Sequence, residues 1–271
     1  MPVRPMSLND GRTMPQLGFG LWEVKDAARV TEDALSVGYR MVDGAALYAN
    51  ERGQGEGLRA SGLARDEVFV TTKVWNDHHG HDRALRSIDA SLGRLGLDHV
   101  DLILIHWPCP TQGLQVETWK ALIQARDEGK ATSVGVSNFR AEDLDLIADA
   151  TGVVPVLNQI ELHPELPQDA LRARHAGLGI VTQGWTPLGQ SRTFGSPVIQ
   201  RIAERTGATP AQVVLAWHLA LGLAVIPRST SRARLAENLA ATEVRLTPAD
   251  LDAVATLANG HRTGPDPADL G

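Results

Sequence analysis

Eight short apolar runs, each followed by a longer amphipathic one, constrain this chain more than anything else in it. The short runs fall at residues 17–20, 41–43, 69–73, 102–106, 134–138, 156–159, 180–185 and 223–226, and most are rich in Val and Ile. Runs of that length and composition read as buried strands. Between and after them the period lengthens to that of helices, at 27–37, 51–61, 82–93, 116–128, 141–150, 169–175 and 231–240. Gly38, Gly62, Gly129 and Gly152 stand where helix C-caps belong. The gap before the eighth run holds two helices, 198–205 and 211–221, the second opened by Thr209-Pro210 as a cap and a first-turn proline. A last helix, 248–257, starts behind Thr247, and the tail from Gly260 reads as irregular. At the front, residues 6–8 and 13–17 flank Asn9-Asp10-Gly11, which predicts a hairpin.

Strand-helix units in series give a parallel sheet. Eight of them predict an α/β fold: a single (β/α)8 barrel of the TIM type over residues 1–271, with an N-terminal β-hairpin and two extra helices. Nearly every run also ends on a polar or aromatic residue, among them Asp43, Lys73, His106, Asn138, Gln159 and Trp185. The C-terminal strand ends of such a barrel form its active face, so these residues should meet at one mouth. A doubly wound open sheet is the competing arrangement; the count of eight and the marked strand ends favour the barrel.

Composition narrows the partners. A net charge of -6 with no basic cluster argues against nucleic acid. One cysteine, Cys109, excludes an internal disulfide and a metal-thiolate cluster. The longest apolar stretch, 213–226, contains His218 and Gly222 and is too short to span a bilayer, and residues 1–11 have no apolar signal core. The expectation is a cytoplasmic protein. Two motifs mislead. Gly18-Phe19-Gly20 imitates a dinucleotide fingerprint, but Glu23 stands where its third glycine should be; the two glycines instead let the strand pass close to a neighbour or ligand. His78-His79-Gly80-His81 invites a metal, yet no carboxylate or thiolate spacing accompanies it, so it is read as a solvated loop and no metal is expected.

The marked strand ends carry a chemistry. A carbonyl that receives hydride becomes alkoxide-like and needs a proton donor. A free tyrosine, with a pKa of roughly 10, is a poor one until a nearby ammonium lowers that value. Lysine is scarce here, occurring only at 25, 73, 120 and 130, and Lys73 lies inside the apolar run Val68–Trp75, where an ammonium needs a partner. Asp43 ends another run, Tyr48 follows it by five residues, and His106 ends a third; a neutral histidine can orient a substrate oxygen. Trp22, Trp75, Trp107 and Trp185 fall at or just past strand ends and suggest an aromatic pocket, whereas Trp119 and Trp217 lie in helices as packing residues.

These residues resemble the aldo-keto reductase family nearly end to end. The matching segments are Asp43-Gly44-Ala45 with Tyr48 and Asn50-Glu51, Thr71-Thr72-Lys73-Val74-Trp75, His106-Trp107-Pro108, Gly135-Val136-Ser137-Asn138-Phe139, Asn158 to Pro164, and Ile226-Pro227-Arg228-Ser229. Trp185 and Trp75-Asn76-Asp77 look most like the bacterial 2,5-diketo-D-gluconate reductases. The resemblance implies NADPH/NADP+ as cofactor, Tyr48 as general acid, Lys73 as its modulator, Asp43 as the lysine's partner and His106 as the orienting group. It implies that Ser137, Asn138 and Gln159 hold the nicotinamide carboxamide and that Trp185 stacks on the ring. Leu188, Gly189 and Gln190 would line the pyrophosphate passage; Arg228, Ser229, Thr230 and Arg234 would hold the 2′-phosphate, and Glu237 and Asn238 the adenine. Trp22, Trp75, Asn76, His106 and Trp107 would meet a small carbonyl substrate, keto-sugars included, and a short loop at 108–115 would leave the site open. The family implies a monomer. Departures are Gly44 for a commoner threonine, expected to loosen the backbone beside Asp43, Trp185 for tyrosine, and Arg228 for lysine. The competing readings are a cofactor-binding, redox-sensing regulator with vestigial chemistry and a metal-dependent barrel hydrolase using the histidine loop.

Overall fold

A computed structural model describes residues 4–270; the ends of the expected 1–271 domain, residues 1–3 and 271, lie outside the described residues. Strands β1 (Pro5–Ser7) and β2 (Thr13–Pro15) form an antiparallel hairpin. Eight parallel strands follow: β3 (Phe19–Gly20), β4 (Met41–Asp43), β5 (Phe69–Val74), β6 (Val100–Ile105), β7 (Ala131–Ser137), β8 (Leu157–Glu161), β9 (Val181–Trp185) and β10 (Ala224–Val225), each bonded to the next in chain order. The seam closes between the first and last. Leu17 bridges Val225 in parallel, Gly18 N donates to Val225 O at 2.9 Å, and Gly20 N donates to Pro227 O at 3.2 Å. The predicted barrel is therefore the observed fold, with strand ends shifted by a few residues.

The helices are α1 (Ala27–Val37), α2 (Glu51–Ala60), α3 (His81–Leu95), α4 (Gln115–Asp127), α5 (Ala141–Thr151), α6 (Asp169–Leu178), α7 (Pro197–Thr206), α8 (Pro210–Ala220), α9 (Arg232–Leu239) and α10 (Pro248–Ala255). Their ends follow local chemistry. Asp26 caps α1 by accepting from Arg29 N, and Gly38 ends it at φ 117°, a backbone that glycine tolerates. Thr209 and Gln212 form a reciprocal capping box at α8, as Thr247 and Asp250 do at α10. The two extra helices, α7 and α10, lie together, tied by Arg205 Nη2 to Asp250 Oδ2 at 2.5 Å.

Alternation along each strand sorts the core into two layers. Val42, Val70, Ile103, Ile105, Val134 and Val136 face outward into the helical shell. Met41, Leu102, Leu104, Leu157, Val181, Ala224 and Ile226 face inward, joined from below by Leu8 and Met14 of the hairpin. The hairpin thus plugs the N-terminal end of the barrel. Asp10 Oδ2 accepts from Ser133 Oγ at 2.6 Å, and Asn9 Nδ2 donates to Pro155 O at 3.0 Å. Gly18 makes room for Met41, whose side chain would lie 2.6 Å from any Cβ at that position. Two residues above Met41, Leu104, Leu157 and Val181, on the same inward faces, stand Asp43, His106, Gln159 and Gln183, with Lys73 above Thr71 on β5. The barrel interior is apolar toward its base and polar at its mouth.

Candidate active site

The polar layer is built around one ammonium. Lys73 is buried on β5, and its Nζ donates to Asp43 Oδ1, to Gly44 O at 2.8 Å and to Tyr48 Oη at 3.2 Å. All three of its protons have acceptors, which an ammonium buried away from water requires. Asp43 Oδ2 accepts from Gln159 Nε2 at 2.8 Å. Burial works to lower the Lys73 pKa, but Asp43 and Tyr48 together reverse the sign and hold it above its usual value. Tyr48 closes a short 3-10 helix, Ala46–Tyr48, directly after β4. Burial pushes its phenol pKa up, and the pull of Lys73 only partly offsets this, so in this state the phenol keeps its proton. The sequence-based expectation of a net lowering is corrected here: the ammonium acts in the expected direction, and enclosure outweighs it. His106 follows β6, and its pKa lies well below the usual value through burial and the nearby Lys73 ammonium, so the imidazole is neutral.

Rings enclose the reacting face. Tyr48 meets Trp22 edge-on at 5.1 Å and His106 at 5.7 Å, and Trp75 meets His106 at 5.1 Å. Trp107 and Trp185 form a further edge pair at 6.4 Å. They open onto one cavity of about 990 Å³ that runs from these rings past Ser137, Asn138 and Gln159 to Arg228, Ser229, Thr230, Arg234, Glu237 and Asn238. Trp119 and Trp217 are buried packing residues.

Most sequence-predicted site residues line this cavity, including Asp43, Leu188 and Gln190. Three do not. Lys73 sits behind Tyr48; Gly189 lies against the His163 ring; Asn76 is buried with its Oδ1 unpartnered. Two further expectations need correction. Gly44 does not loosen the backbone: the space its side chain would fill holds Gln54, whose Oε1 would lie 2.1 Å from a Cβ there. The histidine loop is not uniformly solvated, because His79 is fully buried with neither ring nitrogen partnered and a pKa pushed down by burial to about 4. Among the described residues no three metal-ligating side chains come together. Arg232 bonds Asp33 and Ser36 of α1. Arg228 donates to Glu23 Oε2 at 2.9 Å and Trp22 O at 3.3 Å, whereas Arg234 has no ion-pair partner among the described residues.

Sequence reasoning missed one wall. Thr263, Gly264, Pro265 and Leu270 of the tail line the cavity. Buried Glu161, at the end of β8, holds them: it accepts from Thr263 N at 2.5 Å, Thr263 Oγ1 at 2.7 Å, Gly264 N at 3.2 Å and His163 Nε2 at 3.0 Å. Glu161 was legible as an inward residue two places past Gln159. The aperiodic tail gave no signal. Cys109 is buried, its thiol pushed up to about 11 by burial, which makes it a bystander.

Residues 16–259 match the Aldo/keto reductase family. The chain belongs to the aldo/keto reductase family. An aldo-keto reductase of Mycolicibacterium smegmatis is 47% identical over 264 residues, spanning 97% of this chain and 96% of the relative. The methylglyoxal reductase DkgA of Escherichia coli K12 is 44% identical over 270 residues, 98% of each chain. The crystal structure of a Gox0644 variant in complex with NADPH superposes with a TM-score of 0.96 at 46% identity, covering 100% of both chains. As a member of the family the protein is an oxidoreductase of carbonyl compounds, and the regulatory alternative gains no support from these relatives. Among the described residues no helix is long and apolar enough to cross a membrane.

Proposed function

We propose that this aldo/keto reductase reduces small aldehydes and ketones, keto-sugars and methylglyoxal-like dicarbonyls among them, to alcohols with NADPH, and that Tyr48 gives the proton. The observation that carries the reading is the placement of Tyr48 Oη, 3.2 Å from a fully partnered buried ammonium and on the wall of the cavity. Its phenol is protonated at neutral pH, as a proton donor must be, and Lys73 stabilises the phenolate that transfer would leave behind. His106 is neutral and has Nδ1 buried, which leaves Nε2 to point a substrate oxygen at Tyr48. Trp22, Trp75 and Trp107 supply apolar walls for a small substrate.

The cavity fits a dinucleotide. Gln159 presents an acceptor, Oε1, that no described residue occupies, beside Ser137 and Asn138; the unpaired Arg234 stands at the far end beside the start of α9. NADPH bound there would supply the hydride. Trp185 is positioned to support its ring, with Nε1 anchored on Asn138 Oδ1 at 2.8 Å. Arg234 and Arg228 would meet the 2′-phosphate, Arg228 after exchanging Glu23 for it. A cytoplasmic monomer belongs to the same proposal.

The test is Tyr48→Phe. Loss of a general acid lowers turnover by about 10²- to 10⁴-fold. NADPH oxidation should fall by that factor while NADPH affinity, read from tryptophan fluorescence, stays within about twofold. A variant that turned over at the wild-type rate would remove Tyr48 from the chemistry.

A further inference from the structure

Gln183 lies below the cavity and touches nothing that enters it. It is 1% exposed on β9, on the inward face between Val181 and Trp185, and is absent from the cavity lining. Its Oε1 accepts from Gln159 Nε2 at 2.7 Å, and its own Nε2 faces only the Met41 sulfur at 3.7 Å. Gln183 shares the polar layer of Asp43, Lys73 and Gln159, and a buried amide there needs hydrogen-bond partners.

The polarity of this network is forced from one end. Lys73 can only donate, so Asp43 Oδ1 accepts. Asp43 Oδ2 also accepts, so Gln159 must turn its NH2 group downward. That group has two protons. One goes to Asp43, and the second goes to Gln183 Oε1. With both protons held, Gln159 is left with Oε1 upward as a pure acceptor on the cavity wall. If the Gln183 oxygen were missing, one buried N–H would have no partner, and the amide would be held by Asp43 alone, through one bond instead of two.

We infer that Gln183 is a positioning residue that fixes the Gln159 amide with its oxygen toward the cavity, so that the site selects a cofactor ring bearing an N–H donor, the primary carboxamide of nicotinamide. The inference rests on the proposed NADPH site. It separates the side chain that touches the cofactor, Gln159, from the one that decides what Gln159 presents.

The experiment compares NADPH with its 3-acetylpyridine analogue, in which a methyl ketone replaces the carboxamide and the donor is gone. Dissociation constants are read from quenching of tryptophan fluorescence, without turnover. One neutral hydrogen bond sets the wild-type preference for NADPH at about 2- to 10-fold. In Gln183→Met, of similar length without the oxygen acceptor, the ratio should fall to about one, with the analogue's affinity unchanged. Gln183→Glu keeps an accepting oxygen and should restore the preference. Equal weakening of both cofactors in Gln183→Met, or an undiminished ratio, would overturn the inference. So would a wild-type ratio of one, a measurement that does not depend on any variant folding. Failure of wild type to bind NADPH at all would instead remove the proposed cofactor site.

Discussion

Gly44 shows how a single residue can be read correctly as unusual and wrongly as to effect. A glycine beside Asp43 suggests slack, but Gln54 occupies the vacated volume, fully buried with both amide atoms unpartnered. Its contact depends on a pairing between neighbouring elements, which no local pattern in the sequence reveals. The same holds for Gln183, whose partner Gln159 lies on the neighbouring strand β8, with the whole of α6 between them in the chain. Asp43, Lys73 and His106, in contrast, were legible because each lies in or ends an apolar run whose chemistry it contradicts, and Tyr48 was read from its place five residues after Asp43. Gly44→Ala should destabilise the fold by about 1–3 kcal/mol, the usual cost of overpacking. Gln54→Ala in the same chain should recover most of that loss, a non-additivity measurable by denaturant unfolding of the two single variants and the double. Additive effects would mean that the two side chains do not compete for one space.

At the scale of elements, the strands and helices followed from periodicity, and only their ends moved. The tail did not follow. Residues past Gly260 have no period, yet Glu161 gathers two backbone N–H groups and a hydroxyl from Thr263 and Gly264 and presses Gly264 against the Trp185 ring. The tail is held by this carboxylate rather than by a propensity of its own. Burial alone would raise the Glu161 pKa; His163, Thr263 and Gly264 together bring it below the usual value. Glu161→Ala should release the segment while leaving the barrel closed. Arg262 precedes Thr263, so limited trypsin digestion should then cut after Arg262 many times faster than in wild type, with the fragment identified by mass spectrometry. Unchanged cleavage would place the anchor elsewhere.

Over the whole molecule, buried histidines set the acid limit. His79, His175 and His218 are each held at about 4, with burial the leading cause. Unfolded histidine titrates near 6.5, so between roughly pH 6.5 and 4 the unfolded chain binds protons that the folded one refuses. Stability is therefore full above pH ~6.5 and falls as pH drops toward 4; the lowered carboxylates Glu161, Glu165 and Asp250 add a loss of the same sign lower still. The midpoint of thermal unfolding, followed by circular dichroism, should decline through that window, and His218→Gln should flatten the decline. A midpoint level from pH 7 to 4 would contradict the assignment. None of this was visible in sequence, since a histidine's burial depends on what covers it. The seam between β3 and β10 has a different consequence. Its two halves, Leu17 and Val225, come from opposite ends of the chain. During synthesis on the ribosome, the growing polypeptide carries two unpaired strand edges until the last strand emerges, so the joint that makes the barrel a barrel is the one left open to mispairing longest.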